Sequence, residues 1–209
     1  MLLDFNSLKS KYDFKINGIL HIGAHFGEEY ELYVSNGINN LIFFEPVPVT
    51  FQKLKNKLDG KATLVNVALG NRNGKITMNI ETANQGQSSS ILKPALHLNQ
   101  YPHIRFEDSI EVEITTLDYY MNTLESNEVS NYNMINIDVQ GYELEVFKGA
   151  EKILENIDYI ITEVNRDVVY HQCAHVDDLD LYLGKYGFTR TETTWDGGTW
   201  GDGLYIKNK

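Results

Sequence analysis

The sequence predicts an α/β fold: a mainly parallel, twisted sheet with helices on both faces. Three observations predict it. Apolar runs of strand length alternate with segments of helical period along most of the chain, as in successive βαβ units. The runs are near-continuous, as in Leu41–Phe44 and Tyr159–Ile161, which suits strands covered on both faces. The runs end on Gly23, Glu45, Ala68, Asp138 and Glu163, mostly turn or acidic residues, and in such sheets ligands bind outside the carboxyl ends of the strands.

The elements follow in order. Residues 1–12 read as a short amphipathic helix, with Leu3, Leu8 and Tyr12 apolar and lysines between them. Ile16–Ile22 is the first strand, closed by Gly23, and Glu28–Asn36 is a helix that stops at Gly37, a residue suited to the position past a helix end. Asn40–Glu45 is a strand, and Val49–Leu58 a helix with Phe51, Leu54 and Leu58 on one face. Ala62–Leu69 reads as a third strand, and Ile76–Ile80 and Ile110–Thr116 alternate as strands do. Met134–Asp138 is a fourth core strand, Tyr142–Leu154 its helix and Ile157–Val164 a fifth strand. Val176–Tyr186 is a helix ended by Gly187, after which Phe188–Thr193 and Gly203–Ile206 close the sheet as a hairpin around Trp195–Trp200.

At 209 residues the chain fits a single domain, 1–209, whose core needs no disulfide staple. Residues 1–15 form a helical extension, and 82–109, opening on the polar stretch Thr82–Ser90, is a lid or acceptor loop. The lone Cys173 excludes a disulfide framework or zinc ribbon. No apolar run approaches a membrane span. The N-terminus carries Asp4 and lacks the apolar core of a signal peptide, so a cytoplasmic location is expected. With 18 basic against 29 acidic residues, net −11, neither nucleic acid nor an anionic membrane is an expected partner. Oligomeric state is not legible.

Three motifs carry chemistry. His21-Ile-Gly-Ala-His-Phe-Gly27 is a glycine turn from strand into helix; its spacing is not the dinucleotide pattern GxGxxG, and it also suits an ordinary strand-to-helix turn. Glu45 follows Gly23 by 22 residues, where an acid accepts hydrogen bonds from ribose hydroxyls; it is otherwise an exposed strand-end carboxylate. Asp138-Val-Gln-Gly-Tyr-Glu143 ends a buried strand on an acid, which either binds a cationic or hydroxyl group or caps the next helix.

These residues resemble the FkbM family of S-adenosylmethionine-dependent methyltransferases. The matching segments are Leu20–Glu29, Ile42–Pro46, Asn66–Gly70, Gln87–Pro94, Thr115–Asp118, Ile135–Leu154 and Ile160–Val164, in the family's order. The chain departs at His21, where aspartate is usual, and at His25, where asparagine is common. The resemblance implies a Rossmann-like class I methyltransferase fold with an antiparallel C-terminal strand and S-adenosylmethionine as cofactor. His21, Gly23, Ala24, His25 and Gly27 would line its methionine and ribose end. Glu45 would take the ribose hydroxyls, Pro46 would touch the cofactor beside it, and Asn66, Val67 and Ala68 would lie beside the adenine. Ser89, Asp138 and Val139 would complete the cofactor site.

The expected activity is transfer of methyl to a hydroxyl of a sugar or glycan. The alternatives are a polyketide or other natural product, a non-catalytic nucleotide-binding module, and a nicotinamide oxidoreductase. Asp138 and Glu163 are the candidate catalytic bases, because a protonated hydroxyl is a poor nucleophile. They could also share a divalent metal, but no local cluster has metal-ligand spacing, and no metal is expected. Ser88, Ser90, His97, Glu163, His171 and Trp200 are the candidate acceptor residues, with Tyr101 and His103 beside them. Histidine is a natural base, which makes His171 and His175 candidates, but both read first as surface or interface residues.

Overall fold

The computed structural model describes residues 1–208; Lys209, the last residue of the expected domain, lies outside them. In chain order the elements are α1 (Phe5–Lys11), β1 (Gly18–Ile22), α2 (Tyr30–Ser35), β2 (Asn40–Phe44), α3 (Pro48–Leu58), β3 (Thr63–Val65), β4 (Ala68–Leu69) and β5 (Gly74–Glu81). There follow α4 (Leu96–Gln100), β6 (Phe106–Thr115), α5 (Leu117–Met121), α6 (Ser126–Val129), β7 (Met134–Ile137) and α7 (Glu143–Lys148). After a 3₁₀ turn (Ile153–Glu155) come β8 (Tyr159–Asn165), α8 (Val176–Gly184), β9 (Phe188–Asp196) and β10 (Trp200–Lys207).

Seven strands form one sheet in the order β3-β2-β1-β7-β8-β10-β9. Its members are parallel except β10, which runs antiparallel to both β8 and β9. Chain order reverses between β1 and β7, the kind of switch point where such sheets bind ligands. Every residue of β1, β7 and β8 is buried, as their continuous apolar character predicts. Alternate residues feed two cores. Leu20, Ile22, Ile42, Phe44, Ile135 and Ile137 pack with Leu117, Val146, Phe147 and Leu179 on one face. Ile19, Leu41, Phe43 and Met134 pack with Tyr33, Leu54 and Leu58 on the other, where α1 also buries Phe5 and Leu8. Asp4 caps α1 by accepting from the Ser7 N–H. Among the described residues no helix is long and apolar enough to cross a membrane.

The structure departs from the expected elements in three places. The strand expected over 62–69 is two strands in two sheets. β3 pairs with β2, while β4 joins β6 and β5 in a separate three-stranded sheet. The break falls at Asn66, whose side-chain amide donates to the Glu45 and Pro46 carbonyls (2.8 and 3.0 Å) and fastens the turn after β2. The helix expected over 142–154 stops at Lys148. Asp118 takes the N–H groups of Lys152 and Ile153 (3.0 Å each), which starts the 3₁₀ turn in a new direction. The short helices α5 and α6 were not foreseen; α5 is capped by Thr116, whose hydroxyl accepts from the Tyr119 N–H.

The stretch expected as a loop over 82–109 carries α4 and folds back on the sheet edge, and its last four residues, 106–109, already belong to β6, paired with β5. Single bridges pair Asn79 with Ser90 and Pro94 with Tyr170. Buried Glu81 anchors its start by accepting from the N–H groups of Ala83, Asn84 and Gly86.

Candidate active site

The carboxyl ends of β1, β2, β7 and β8 converge beneath this folded-back stretch. β1 turns at Gly23 (φ +81°). The N–H groups of Gly23 and Ala24 both donate to the Phe44 carbonyl at the end of β2 (3.0 and 2.9 Å). A Cβ on Gly23 would lie 1.9 Å from the Asp138 carbonyl oxygen, so only glycine lets the turn pass so close to the end of β7. That approach sets Asp138 beside the turn, on the wall of a cavity of about 640 Å³.

His25 continues the turn with a left-handed backbone (φ +46°). Its N–H donates to Glu45 Oε2 (2.9 Å), its Nδ1 meets Glu28 Oε1 (2.7 Å) and its Nε2 meets the Gln85 carbonyl (3.1 Å). Both ring partners are acceptors, so the two bonds together require the imidazolium. Burial opposes that charge, but the bonds to Glu28 and Gln85 and the Glu28 and Glu45 charges outweigh it and raise the His25 pKa. The ring thereby latches the start of the folded-back stretch to the sheet edge.

Glu45 is buried, 6% exposed. Each carboxyl oxygen accepts one backbone N–H, from His25 and from Val47 (2.9 Å each). Burial pushes its pKa up to about 7 against these bonds. Each oxygen keeps a further acceptor direction, at a narrower apolar lobe lined by Pro46, Val67, Ala68, Ile91 and Val139.

His21 is buried against Phe43, and burial lowers its pKa. Its Nδ1 accepts the Tyr33 O–H (3.0 Å), and that oxygen accepts from the Asn136 amide (2.6 Å). The neutral ring therefore carries its hydrogen on Nε2, which faces Glu29 at 3.9 Å. Where the family's usual aspartate would accept, this chain presents a donor, with the Glu29 carboxylate beyond it.

Gln140 joins the two candidate bases. Its side-chain amide donates to Asp138 Oδ1 (2.6 Å) and Glu163 Oε2 (2.8 Å), and its amide oxygen accepts the Tyr170 O–H (2.7 Å). The Gln140 carbonyl in turn accepts the Ser90 hydroxyl (2.7 Å). Glu163 is 3% exposed, and burial, then the charges of Asp138 and Glu143, hold its pKa well above the usual carboxylate range. Asp138 is exposed to the cavity. Among the described residues no group of three or more His, Cys, Asp or Glu is arranged to hold a metal ion.

Most of the expected site residues gather here. His21, Gly23, Ala24, His25, Asp138, Glu163, Ser88, His97 and Trp200 line the cavity, and Glu45, Pro46, Val67, Ala68, Ser89 and Val139 line the lobe. Four line neither. Gly27 faces α3, where a Cβ would meet Leu58 and Leu54 at 2.7 and 2.8 Å; its glycine serves packing. Asn66 spends its amide on the turn after β2, Ser90 points into the Gln140 backbone, and His171 is exposed, its N–H on the Lys93 carbonyl. The sequence reading missed Glu28, Glu29, Gln140, Tyr170, Asp196 and Asp202, all cavity residues. Gln140 lies inside the Asp138–Glu143 motif, Glu28 and Glu29 inside the segment Leu20–Glu29, and Asp196 inside Trp195–Trp200, while Tyr170 and Asp202 carry no local pattern.

The site residues are of the kinds that the expected cofactor calls for: a glycine turn after β1, an acid after β2 and an apolar slot beyond it. The sheet matches solved methyltransferase folds. Magnesium protoporphyrin IX methyltransferase of Synechocystis, solved with S-adenosylmethionine bound, superposes with a TM-score of 0.52 at 9% identity, over 97% of this chain and 76% of that one. Sp1610 of Streptococcus pneumoniae superposes at 0.55 and 14% identity, over 100% and 72%. The chain is similar in sequence to the 2-O-methyltransferase NoeI of Sinorhizobium fredii, 28% identical over 73% of this chain and 65% of that protein. It is also similar to the hexuronic acid methyltransferase AglP of Haloferax volcanii, 28% identical over 62% of this chain and 48% of that protein. The chain thus spans less than two thirds of either relative. The methyltransferase FkbM domain model matches residues 21–189, most of the chain and nearly every element that builds the site, and the chain belongs to the FkbM methyltransferase family.

Proposed function

We propose that this chain is an S-adenosylmethionine-dependent O-methyltransferase whose acceptor is a hydroxyl of a sugar or glycan. The observation that carries the reading is a single cavity shared by the Gly23–His25 turn and the Asp138–Gln140–Glu163 group, with polar and aromatic walls. The names of the two relatives, a 2-O-methyltransferase and a hexuronic acid methyltransferase, support it. A polyketide acceptor would call for a larger apolar wall.

S-adenosylmethionine is the cofactor, and it supplies a methyl group already activated on a sulfonium. Gly23, Ala24 and His25 would hold its methionine end, Glu45 its ribose, and Pro46, Val67, Ala68, Ser89 and Val139 the base. Glu29 offers the acceptor that His21 does not. The stretch 82–105, between β5 and β6, acts as a lid, latched through His25 and Gln85. Holding the acceptor hydroxyl in line with the methyl contributes on the order of 7–11 kcal/mol to such reactions.

Asp138 would take the hydroxyl proton, while the bound cofactor would supply the methyl carbon, its bond to sulfur breaking as the oxygen–carbon bond forms. Asp138 is the exposed member of the pair and is aimed by Gln140. Glu163, buried and holding its proton, orients Gln140 and is a positioning residue. Ser88, His97 and Trp200 line the acceptor side. The test begins with calorimetric titration by S-adenosylmethionine and S-adenosylhomocysteine, then methyl transfer to a glycoside panel. Micromolar binding with turnover that falls at least a hundredfold in Asp138→Asn, with product affinity retained, is expected. Folded protein that binds neither ligand refutes the reading.

A further inference from the structure

The charge on the cavity wall is one-sided. Its lining includes six carboxyl residues, Glu28, Glu29, Asp138, Glu163, Asp196 and Asp202, against no lysine or arginine and one ammonium, that of Met1, which faces Glu29 at 3.9 Å; Glu163 keeps its proton and adds no charge. Nearby basic side chains are committed elsewhere. Arg105 donates to the Pro102 and Ile104 carbonyls (2.6 and 2.9 Å), Arg166 lies 3.7 Å over the Trp195 ring, and Lys57 donates to the Gly27 carbonyl (2.8 Å).

Four histidines line the cavity, His21, His25, His97 and His103, the last of them exposed. His21 and His97 are buried, and burial favours their neutral forms. His25 spends its charge on Glu28. The bonds that the wall makes internally are of one kind as well: Gln140 donates to two carboxyl groups, Leu2 and Leu3 donate backbone N–H groups to Asp202, and the Tyr101 hydroxyl faces Asp196 at 3.4 Å. What remains toward the cavity is mainly acceptor capacity. The Trp200 indole donates to Tyr101 (2.9 Å), joining two aromatic rings on the same wall, and aromatic faces suit the C–H faces of a sugar ring.

We infer that the sugar taken by this cavity carries no acidic group, and that the carboxyl-lined wall rejects uronates and sugar phosphates. A cationic cofactor offsets one of the wall's charges and leaves the sign unchanged. An acidic acceptor would bring its charge to Asp138, Asp196 and Asp202 with no guanidinium to meet it and with the Met1 ammonium already facing Glu29, the like-charge arrangement that interfaces use to refuse a partner. The hydroxyls of an uncharged sugar, all of them donors, match the acceptors on the wall.

The inference rests on the sugar reading above, and its test separates the two. Initial rates of methyl transfer are measured on a methyl glucoside, the matching methyl glucuronide and the methyl glucuronamide, with galacto and manno series alongside, at low and high salt. The neutral glycoside should exceed the uronate in kcat/KM by on the order of a hundredfold. The uronamide, equal in size but uncharged, should recover most of that loss, and the ratio should narrow as salt rises. A uronate used as well as its neutral partner overturns the inference. So does a uronamide as poor as the uronate, because rejection is then steric. Product-bound protein that methylates no glycoside overturns the sugar reading itself and takes this inference with it.

Discussion

Glu45→Gln separates the two demands on the acid that ends β2. Folding places this carboxyl at 6% exposure and raises its pKa from 4.5 to about 7. A folded value above the unfolded one means that the protonated form is favoured by folding. That contribution is complete below pH 4.5 and is lost as pH rises through about 7. At 1.36 kcal/mol per pKa unit, the wild type should lose roughly 2–3 kcal/mol through this group between pH 5 and pH 8. Glutamine does not titrate and loses none of it. It does carry a penalty at every pH: its single carbonyl can serve only one of the His25 and Val47 N–H groups, and an orphaned buried donor costs about 1–3 kcal/mol. The variant should therefore be less stable than wild type at pH 5 and equal or more stable at pH 8. Urea unfolding at pH 5, 6, 7 and 8 reads the crossing, and the same pair of proteins in a His25→Gln background removes the titration that the Glu45 charge raises. Parallel pH profiles refute the burial argument. In calorimetry at pH 8, S-adenosylhomocysteine should bind the variant about 10–100-fold more weakly, because one ribose acceptor is gone. Affinity unchanged within twofold refutes the placement of Glu45 at the ribose.

Three further outcomes follow from the same geometry. Gly23→Ala should destabilise by more than about 3 kcal/mol or prevent folding, as its Cβ would strike the Asp138 carbonyl at 1.9 Å, whereas Gly37→Ala, with nothing within 4 Å, pays only for its backbone angle; thermal melts compare them. Because the His25 pKa is raised, its hold on Gln85 is present below about pH 6.5 and lost as pH rises through its folded value. Hydrogen exchange at residues 83–89, corrected for intrinsic rates, should therefore quicken from pH 6 to pH 8.5, and His25→Gln should abolish the difference. Tyr170→Phe removes the donor to Gln140 and should cost about 1 kcal/mol in unfolding assays while lowering kcat more than product affinity; equal losses in both would assign Tyr170 to packing alone.

Much of this architecture is legible in the sequence. β1, β2, β7 and β8 announce themselves because a strand covered on both faces must be apolar throughout. Gly23, Glu45 and Asp138 stand out because each interrupts such a run at its carboxyl end. Their co-location follows from topology, since parallel strands bring those ends to one edge. Local pattern served less well where a residue's partner is distant. Gly27 looked like part of the ligand turn, yet α3 packs against it. Asn66 looked like an adenine neighbour, yet its amide fastens the turn after β2. Residues 62–69 kept the composition of a strand although their two halves pair with different sheets.

The sequence by itself determined the fold class, the family and the edge of the sheet where chemistry occurs, because burial and chain direction are written in hydrophobic period and in the residues that break it. The tertiary structure decided which side chains meet there. Gln140 bridges two acids 25 positions apart in the chain, Asp138 and Glu163. Tyr170 aims that bridge from 30 positions away, and Asp202 reaches the same cavity from the hairpin that closes the sheet. It also decided their protonation: a carboxyl's pKa depends on the water it loses and the charges it faces, and both are properties of the packed molecule.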